Sequence, residues 1–189
     1  MNILFVSHKY PPAVGGMEKQ SFELIEGMKK HATVHSIVIQ KESQISFIFK
    51  VRKQIITYLQ KHPEIEILHI NDGLLACILG PAIRHLKIIK LATIHGLEAS
   101  YPGAAYTKYI FSRLKVYDKL ICVSQHTKDL CVLKGLAPSQ LVVIHNGVAI
   151  ENQMAARIDQ VNLPFILPED KTIIVSVGRR SEEHTSELQ

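Results

Sequence analysis

Short apolar runs alternate along the chain with longer segments whose apolar residues recur at helical spacing. The apolar runs are nearly continuous, which is typical of strands buried on both faces of a parallel sheet. This alternation predicts an α/β fold, a doubly wound parallel sheet with helices on both faces. The predicted strands are residues 2–7, 34–40, 65–70, 87–94, 119–124 and 141–144, and the predicted helices are residues 17–30, 47–61, 74–85, 104–116 and 125–134.

Two helices carry more specific expectations. In the third predicted helix, Gly80 and Pro81 are expected to break or kink the chain, because proline lacks the backbone N–H that a helix needs. In the first, the residues that fall at helical spacing define the expected apolar face. They are Ser21, Phe22, Ile25 and Met28.

The pattern changes after residue 150. Residues 1–150 are expected to form one domain, and residues 151–170, with Asn, Gln and two prolines, an interdomain linker. A strand pattern resumes at residues 171–179 and ends in Gly178–Arg179, which we interpret as the first strand of a truncated second domain.

The last ten residues, RSEEHTSELQ, abandon the apolar rhythm. They match the translation of a widely used sequencing-adapter oligonucleotide, so residues 180–189 are interpreted as an artefactual tail; an ordinary polar terminus is the alternative. This segment contains one Arg and three Glu, so the remaining residues carry a net charge of +7 rather than the +5 of the whole chain.

The composition is that of a globular protein, with 47% hydrophobic and 21% charged residues. Cys77, Cys122 and Cys131 lie in apolar segments without Cys-x-x-Cys spacing, so we expect buried, reduced thiols in a cytoplasmic protein. No apolar run approaches the roughly 20 residues that cross a bilayer.

The excess positive charge has two interpretations. One is a solvated basic surface, and the other is attraction to nucleotide diphosphates or to the anionic cytoplasmic face of a membrane. The absence of Trp and the even spread of Lys and Arg do not favour nucleic acid as a partner.

Polar residues follow directly after the predicted strands. In open α/β sheets, ligands bind outside the carboxyl ends of the strands, which share one edge. The sequence therefore predicts a binding site at this edge. The polar residues found there are His8, Asn71, His95, Ser124 and Asn146.

Gly15 and Gly16 lie between the first strand and the first helix. A glycine pair lets backbone N–H groups approach an anion, and the following helix N-terminus adds the positive end of its dipole. A plain turn is the alternative. The dinucleotide fingerprint Gly-x-Gly-x-x-Gly does not occur, which argues against a nicotinamide-dependent dehydrogenase.

Two further segments are candidates for the site. His95, followed by Gly96, ends the fourth strand, where an imidazole can bond a sugar hydroxyl or a phosphate; a structural histidine is the alternative. Glu98 is either a helper base or a solvated loop residue. Asn146–Gly147 follows the sixth strand, and as a pair it signals a turn.

Five segments together resemble, in order and spacing, the large retaining glycosyltransferase family 4. They are YPPAVGGME at residues 10–18, TIHG at residues 93–96, VS at residues 123–124, VIHNGV at residues 143–148 and IVSVGR at residues 174–179. The resemblance implies a GT-B architecture, in which two Rossmann-like domains face each other across a cleft. The N-terminal domain would hold the acceptor, and the C-terminal domain the nucleoside diphosphate sugar.

The resemblance also implies roles for particular residues. Gly15 and Gly16 would face the donor diphosphate, His95 would contact the transferred sugar, and Arg179 would pair with the diphosphate through its bidentate geometry. No metal or other cofactor is expected, because cationic side chains and helix dipoles would neutralise the leaving group. Asn146 and Gly147 would form an interdomain turn.

The chain departs from the family pattern at two places. Ala149 stands where the family usually has Asp, and Asn71–Asp72 stands where a second His is common. Asn71, Asp72 and Glu98 are the acceptor-side candidates.

The predicted reaction of the full-length parent is sugar transfer to a hydroxyl of a glycan or lipid-linked acceptor, with retention of configuration. The chain as given is expected to be inactive. A GT-B-fold nucleotide-sugar 2-epimerase and a non-catalytic nucleotide- or glycan-binding module are the alternatives.

Overall fold

The computed structural model describes residues 1–40, 43–96 and 104–147 of the 189-residue chain, with the side chains of residues 104–107 left aside. The chain divides into two compact units, Met1–Gly147 and Val148–Gln189. The described residues all belong to the first unit, and the predicted linker, second-domain strand and tail lie outside them.

Every predicted strand and helix is present within the described unit. The strands are β1 (Asn2–Ser7), β2 (Thr33–Val38), β3 (Ile67–Ile70), β4 (Ile89–Ile94), β5 (Lys119–Cys122) and β6 (Leu141–Val143). The α-helices are α1 (Gly16–Met28), α2 (Gln44–Lys61), α3 (Gly73–Ile83), α4 (Ala104–Leu114) and α5 (Gln125–Leu133), and a 3₁₀ turn at Pro138–Gln140 precedes β6.

The six strands form one parallel sheet in the order β2-β1-β3-β4-β5-β6. From β1 the chain passes to β2 on one side and then returns to place β3 on the other side of β1. The order of the strands therefore reverses between β1 and β3, and this is the point where open α/β sheets bind ligands. The predicted fold class, a Rossmann-like doubly wound parallel sheet, is confirmed.

Side-chain alternation along β1 divides the core between the two faces of the sheet. Ile3 and Phe5 pack with Ile25 of α1 on one face. Leu4 and Val6 belong to a larger cluster on the other face, which includes residues of α2, α3 and α4. The sheet is therefore covered on both sides, as the nearly continuous apolar strands predict.

Of the two outcomes expected at Gly80–Pro81, a break or a kink, the break is wrong, because α3 continues through both residues to Ile83. Pro81 lies in the last turn of α3 and removes a single hydrogen bond, the one that its own N–H would donate to the carbonyl four residues earlier. Gly80 has a packing role: a Cβ there would lie 2.6 Å from the backbone oxygen of Arg113 in α4. The glycine thus lets the two helices approach closely, and Tyr117 reinforces this region by donating a hydrogen bond of 2.8 Å to the carbonyl of Ala76.

The buried face of α1 also differs from the expected one. Ser21 and Ile25, one helical turn apart, are buried. Phe22 is 43% exposed and contacts Tyr10, with the ring centroids 6.0 Å apart. The small polar Ser21 therefore lies at the centre of the contact, as its spacing predicts, whereas Phe22 lies outside it.

Two compositional expectations can be compared with the structure. Cys77, Cys122 and Cys131 are buried and form no disulfide among the described residues, as predicted. Among the described residues, no helix has both the length and the apolar character required to cross a bilayer.

Candidate functional site

The candidate site lies where the strand order reverses, at the carboxyl ends of β1 and β3. The two strands are in register from Ile3 opposite Ile67 to Val6 opposite Ile70. The N–H of Asn71 continues the ladder by donating to the Val6 carbonyl at 2.9 Å. Residues that follow β1 and β3 therefore emerge side by side at the same edge of the sheet.

Asn71 is the centre of a buried polar network at this edge. Its Nδ2 donates to Gln20 Oε1 at 2.7 Å and to Ser21 Oγ at 2.8 Å, both on α1. Ser21 Oγ in turn lies 3.0 Å from Ser7 Oγ at the end of β1. The network fixes the Asn71 amide so that both of its N–H groups are used, while its Oδ1 has no hydrogen-bond partner within the described part of the chain.

His8 and Asp72 form a second buried pair beside this network. His8 Nδ1 lies 3.7 Å from Asp72 Oδ1, which is too long for a hydrogen bond, and no described residue bonds this nitrogen. Burial lowers the pKa of His8, and the Asp72 carboxylate opposes that shift only in part. His8 is therefore mainly neutral at neutral pH and retains an unused ring nitrogen at the site.

Asp72 has a structural role as well, because it is the N-cap of α3. Its Oδ1 accepts a 2.7 Å hydrogen bond from the N–H of Leu75. Satisfying one of the free N–H groups of the first turn stabilises a helix. The residue predicted as an acceptor-side candidate thus also sets the start of α3.

The Gly15–Gly16 pair begins α1 at the same edge of the sheet. Gly15 is the N-cap and has no side chain to satisfy the first N–H groups. A Cβ on Gly15 would overlap the Glu18 carboxylate, whereas a Cβ on Gly16 would meet open space. Glu18 lies 3.9 Å from the ammonium group of Lys9. The helix N-terminus is therefore covered by an internal carboxylate that an incoming anion would have to displace.

His95 follows β4, the next strand along the sheet. Its Nε2 lies 3.3 Å from the carbonyl oxygen of Asn71, and the residue is partly exposed. The imidazole therefore lies at the same edge of the sheet, beside the carboxyl end of β3. Gly96 has a φ of 107°, a conformation that L side chains rarely adopt, and a Cβ there would lie 3.2 Å from Thr127 Oγ1. The backbone conformation at residue 96 therefore favours glycine.

A second histidine lies beneath His95. His69 of β3 is buried, its Nε2 is 2.8 Å from Thr93 Oγ1, and its ring packs on Phe5 with centroids 4.9 Å apart. Burial, helped by the nearby His95, lowers its pKa to about 4. His69 is thus a neutral, fixed support for the edge.

The remaining predicted residues at strand ends have other roles or surroundings. Ser124 is the N-cap of α5 and accepts from the N–H of Thr127 at 3.1 Å. Asn146 and Gly147 are exposed after β6. Glu98, Ala149 and Arg179 lie outside the described residues, as does the predicted tail.

The sequence reasoning did not identify Gln20, Ser21, Lys9 and His69 as parts of this edge. Gln20 and Ser21 lie on a helix and His69 lies inside an apolar strand, so none of them follows a strand. A signal was present in the polar Ser21, placed on the face of α1 that packs against the sheet.

Comparison with known proteins identifies the family of this chain. The family model described as Glycosyltransferase Family 4 matches residues 14–152 of the chain. The chain belongs to glycosyltransferase family 4. The matched segment begins next to Gly15 and includes the residues that follow β3, β4, β5 and β6. No curated protein sequence matches the chain.

Solved structures of similar fold span two kinds of enzyme. The family 4 chain matches the lipopolysaccharide outer core galactosyltransferase WaaB at 14% identity and a TM-score of 0.53, over 80% of this chain and 47% of that one. It matches HepE of Anabaena, in complex with UDP and glucose, at 14% identity and a TM-score of 0.56, over 78% and 45% of the two chains. It also matches the UDP-GlcNAc 2-epimerase of Methanocaldococcus jannaschii, in complex with UDP-GlcNAc and UDP, at 13% identity and a TM-score of 0.56, over 77% and 47%. At these identities the likeness concerns the fold, and the chain spans about half the length of each of these structures.

Proposed function

We propose that this chain supplies the acceptor-side half of a glycosyltransferase. The reaction is transfer of a sugar from a nucleoside diphosphate sugar to a hydroxyl of a glycan or lipid-linked acceptor, with retention at the anomeric carbon. Membership in glycosyltransferase family 4 supports the reaction class. The UDP-containing complexes of similar fold support a nucleotide-sugar donor.

The observation that carries the proposal is a pair of buried polar atoms, at the reversal point of the sheet, that have no hydrogen-bond partner among the described residues. They are His8 Nδ1 and Asn71 Oδ1. Buried polar atoms are rarely left without a partner, because desolvation without a hydrogen bond is costly. A sugar hydroxyl can both donate and accept, so the acceptor substrate fits this pair, donating to Asn71 Oδ1 and contacting the neutral His8 ring.

The donor diphosphate is proposed to bind at Gly15 and Gly16. The first N–H groups of α1 lack a side-chain cap from Gly15, and the helix dipole favours an anion there. The Glu18 carboxylate repels a diphosphate, so donor binding requires this side chain to rotate away from the glycines. Arg179 is proposed to pair with the diphosphate from the second domain, and no metal is required for the transfer.

His95 is proposed to contact the transferred sugar. The 3.3 Å distance from its Nε2 to the Asn71 carbonyl oxygen supports a position beside the acceptor pair. In this arrangement His8 and Asn71 orient the acceptor hydroxyl, while His95 orients the donor sugar. Holding both reactants in a fixed geometry accounts for a large part of the rate enhancement of a group-transfer enzyme.

The test uses a protein that extends this chain by a complete donor domain. Purified protein is incubated with labelled UDP-sugars and a panel of glycan and lipid-linked acceptors, with and without EDTA. Asn71→Ala removes the free Oδ1 and is expected to raise the acceptor KM about fivefold, the effect of one lost hydrogen bond. Gln20→Ala is the matched control, because it removes a partner of Asn71 Nδ2 and leaves Oδ1 in place.

The same assay separates the transferase from its alternatives. Sugar transfer that requires an acceptor supports the proposal, whereas epimerised UDP-sugar formed without any acceptor identifies a 2-epimerase. Donor or glycan binding with neither product identifies a binding module. Product with an inverted anomeric configuration would contradict retention.

The 189-residue chain by itself is proposed to be inactive. It spans only about half the length of the structures it matches, and Arg179 is the single donor-domain residue with a proposed role. Transfer above background hydrolysis by the purified 189-residue chain would place the donor site within residues 1–147 instead.

A further inference from the structure

The outer face of α2 is unusually apolar for an exposed surface. The helix packs on the sheet through Phe47, Val51 and Ile55, which recur at every fourth residue. On the opposite side, Ile45 is 70% exposed and Phe49 is 83% exposed. These two side chains are also four residues apart, so they form a second apolar stripe that no described residue covers.

Basic residues flank this stripe, and α2 contains no acidic residue. The charged residues of α2 are Lys50, Arg52, Lys53 and Lys61. Within the described ranges, Arg52, Lys53 and Lys61 form no ion pair. The helix on the other face of the sheet is different, because α1 carries acidic residues that pair with its lysines, as in Lys19–Glu23 and Lys29–Glu26. Positive charge is therefore concentrated on the α2 side.

A groove runs beside this helix, between α2 and the edge strand β2. It has a volume of about 860 Å³. Its walls combine lysines and uncharged polar side chains with apolar ones, a lining suited to an anionic group that also carries apolar atoms. The lining includes Gln40, Lys53, Thr57 and Lys61 together with Val38 and Phe49.

We propose that the α2 surface (Ile45, Phe49, Arg52, Lys53 and Lys61) docks on an anionic lipid bilayer. Phe49 and Ile45 enter the boundary between headgroups and acyl chains, the position that apolar residues of interfacial helices occupy. Arg52, Lys53 and Lys61 contact lipid phosphates, and the groove accommodates one lipid headgroup. Electrostatic attraction to an anionic leaflet adds to the apolar contribution.

A second copy of the chain fits this surface less well. A symmetric dimer on the same face would oppose Arg52 and Lys53 to their own counterparts, and like charges facing each other are unfavourable. An anionic bilayer satisfies both the charge and the apolar stripe. Through this surface the protein lies on a membrane and does not cross it.

The docked surface adjoins the candidate site through β2. Val38 and Gln40, at the carboxyl end of this strand, line the groove. The N–H of Ile39 donates to the Ser7 carbonyl at 3.1 Å, so the end of β2 lies beside the end of β1, which leads to His8. Docking therefore brings the bilayer to the edge of the sheet that carries the site. The docking proposal itself does not depend on sugar transfer.

The test is flotation of the 189-residue chain with vesicles of phosphatidylcholine, alone or mixed with phosphatidylglycerol, over a series of salt concentrations. The double variant Arg52→Gln/Lys53→Gln is expected to lower partitioning to the mixed vesicles about tenfold. Its matched control is Lys108→Gln/Lys115→Gln, which removes the same charge from exposed positions elsewhere and is expected to change partitioning less than twofold. Phe49→Ser is expected to lower partitioning about tenfold with the salt dependence retained. Far-UV circular dichroism and thermal unfolding check that each variant is folded.

Three results would overturn the proposal. Equal partitioning to neutral and mixed vesicles would remove the electrostatic basis, and equal losses in the two double variants would make the attraction one of net charge alone. A dimer in sedimentation that Phe49→Ser dissociates would make a second copy the occupant of this surface. Sugar transfer does not enter any of these measurements, so their outcome is independent of the proposed reaction.

Discussion

His8 Nδ1 and Asp72 Oδ1 lie 3.7 Å apart, with both side chains buried at the point where the strand order of the sheet reverses. The contact joins the residue after β1 to the residue that caps α3. Asp72 therefore has two effects, a hydrogen bond to its own helix and an electrostatic effect on His8.

The two effects of Asp72 can be separated by a pair of substitutions. Asp72→Asn keeps a capping oxygen but removes the charge, so the pKa of His8 is expected to fall further, because the carboxylate raises it now. Asp72→Ala also removes the cap of α3 and is expected to lower the free energy of unfolding by about 1 kcal/mol more than Asp72→Asn. Histidine NMR titration and chemical denaturation measure the two quantities. An unchanged His8 titration in Asp72→Asn would show that the carboxylate does not act on this ring.

The glycines of the candidate site are expected to respond differently to alanine. Gly96→Ala is expected to lower the free energy of unfolding by about 1–2 kcal/mol, because residue 96 has a positive φ. Gly16→Ala is expected to leave stability unchanged within about 0.5 kcal/mol, since its Cβ meets open space at the start of a helix. If Gly16 serves an anion, the substitution weakens UDP-sugar binding in a two-domain protein although stability is kept. Undiminished binding in Gly16→Ala would favour the plain-turn interpretation.

A comparable pair of glycines tests the contact between α3 and α4. Gly80→Ala is expected to lower stability by about 1–3 kcal/mol, because the new Cβ would press on the backbone oxygen of Arg113. Gly27→Ala, in α1, is expected to raise stability by about 0.5–1 kcal/mol through helix propensity alone, as its Cβ meets nothing. Urea denaturation of both variants gives the comparison. A stabilising Gly80→Ala would mean that the two helices are not in close contact.

The buried His69 predicts a pH dependence of stability. Its pKa is lowered from 6.5 to about 4 in the folded protein, so the unfolded chain binds a proton at higher pH than the folded one. Stability is therefore full above about pH 6.5 and is lost as the pH falls towards 4, by up to about 3 kcal/mol from this residue.

The measurement is the free energy of unfolding between pH 7 and pH 4 for the wild type and His69→Asn. The slope with pH, and not the absolute stability, is the readout, because the substitution also changes packing against Phe5. His8, whose pKa is lowered too, contributes a residual slope in both proteins. Identical slopes would indicate that folding does not lower the pKa of His69.

The strands and helices could be predicted because their signals are local. A run of apolar residues identifies a buried strand, and helical spacing identifies an amphipathic helix, whatever the rest of the chain does. The positions of His8, Asn71 and His95 followed from the same reasoning, since a residue after a parallel strand must lie at its carboxyl edge.

The tertiary structure decided what these residues contact. The bond from Asn71 to Gln20 joins positions 51 residues apart, and no local pattern pairs them. The close approach of Gly80 to the backbone of Arg113 joins two helices, and the low pKa of His69 depends on its burial. The sequence by itself determined the elements, their order and the family, because periodicity and motif spacing are properties of a single segment. Strand order, partnership and burial arise only when distant segments pack, and these decided which polar atoms have no hydrogen-bond partner among the described residues.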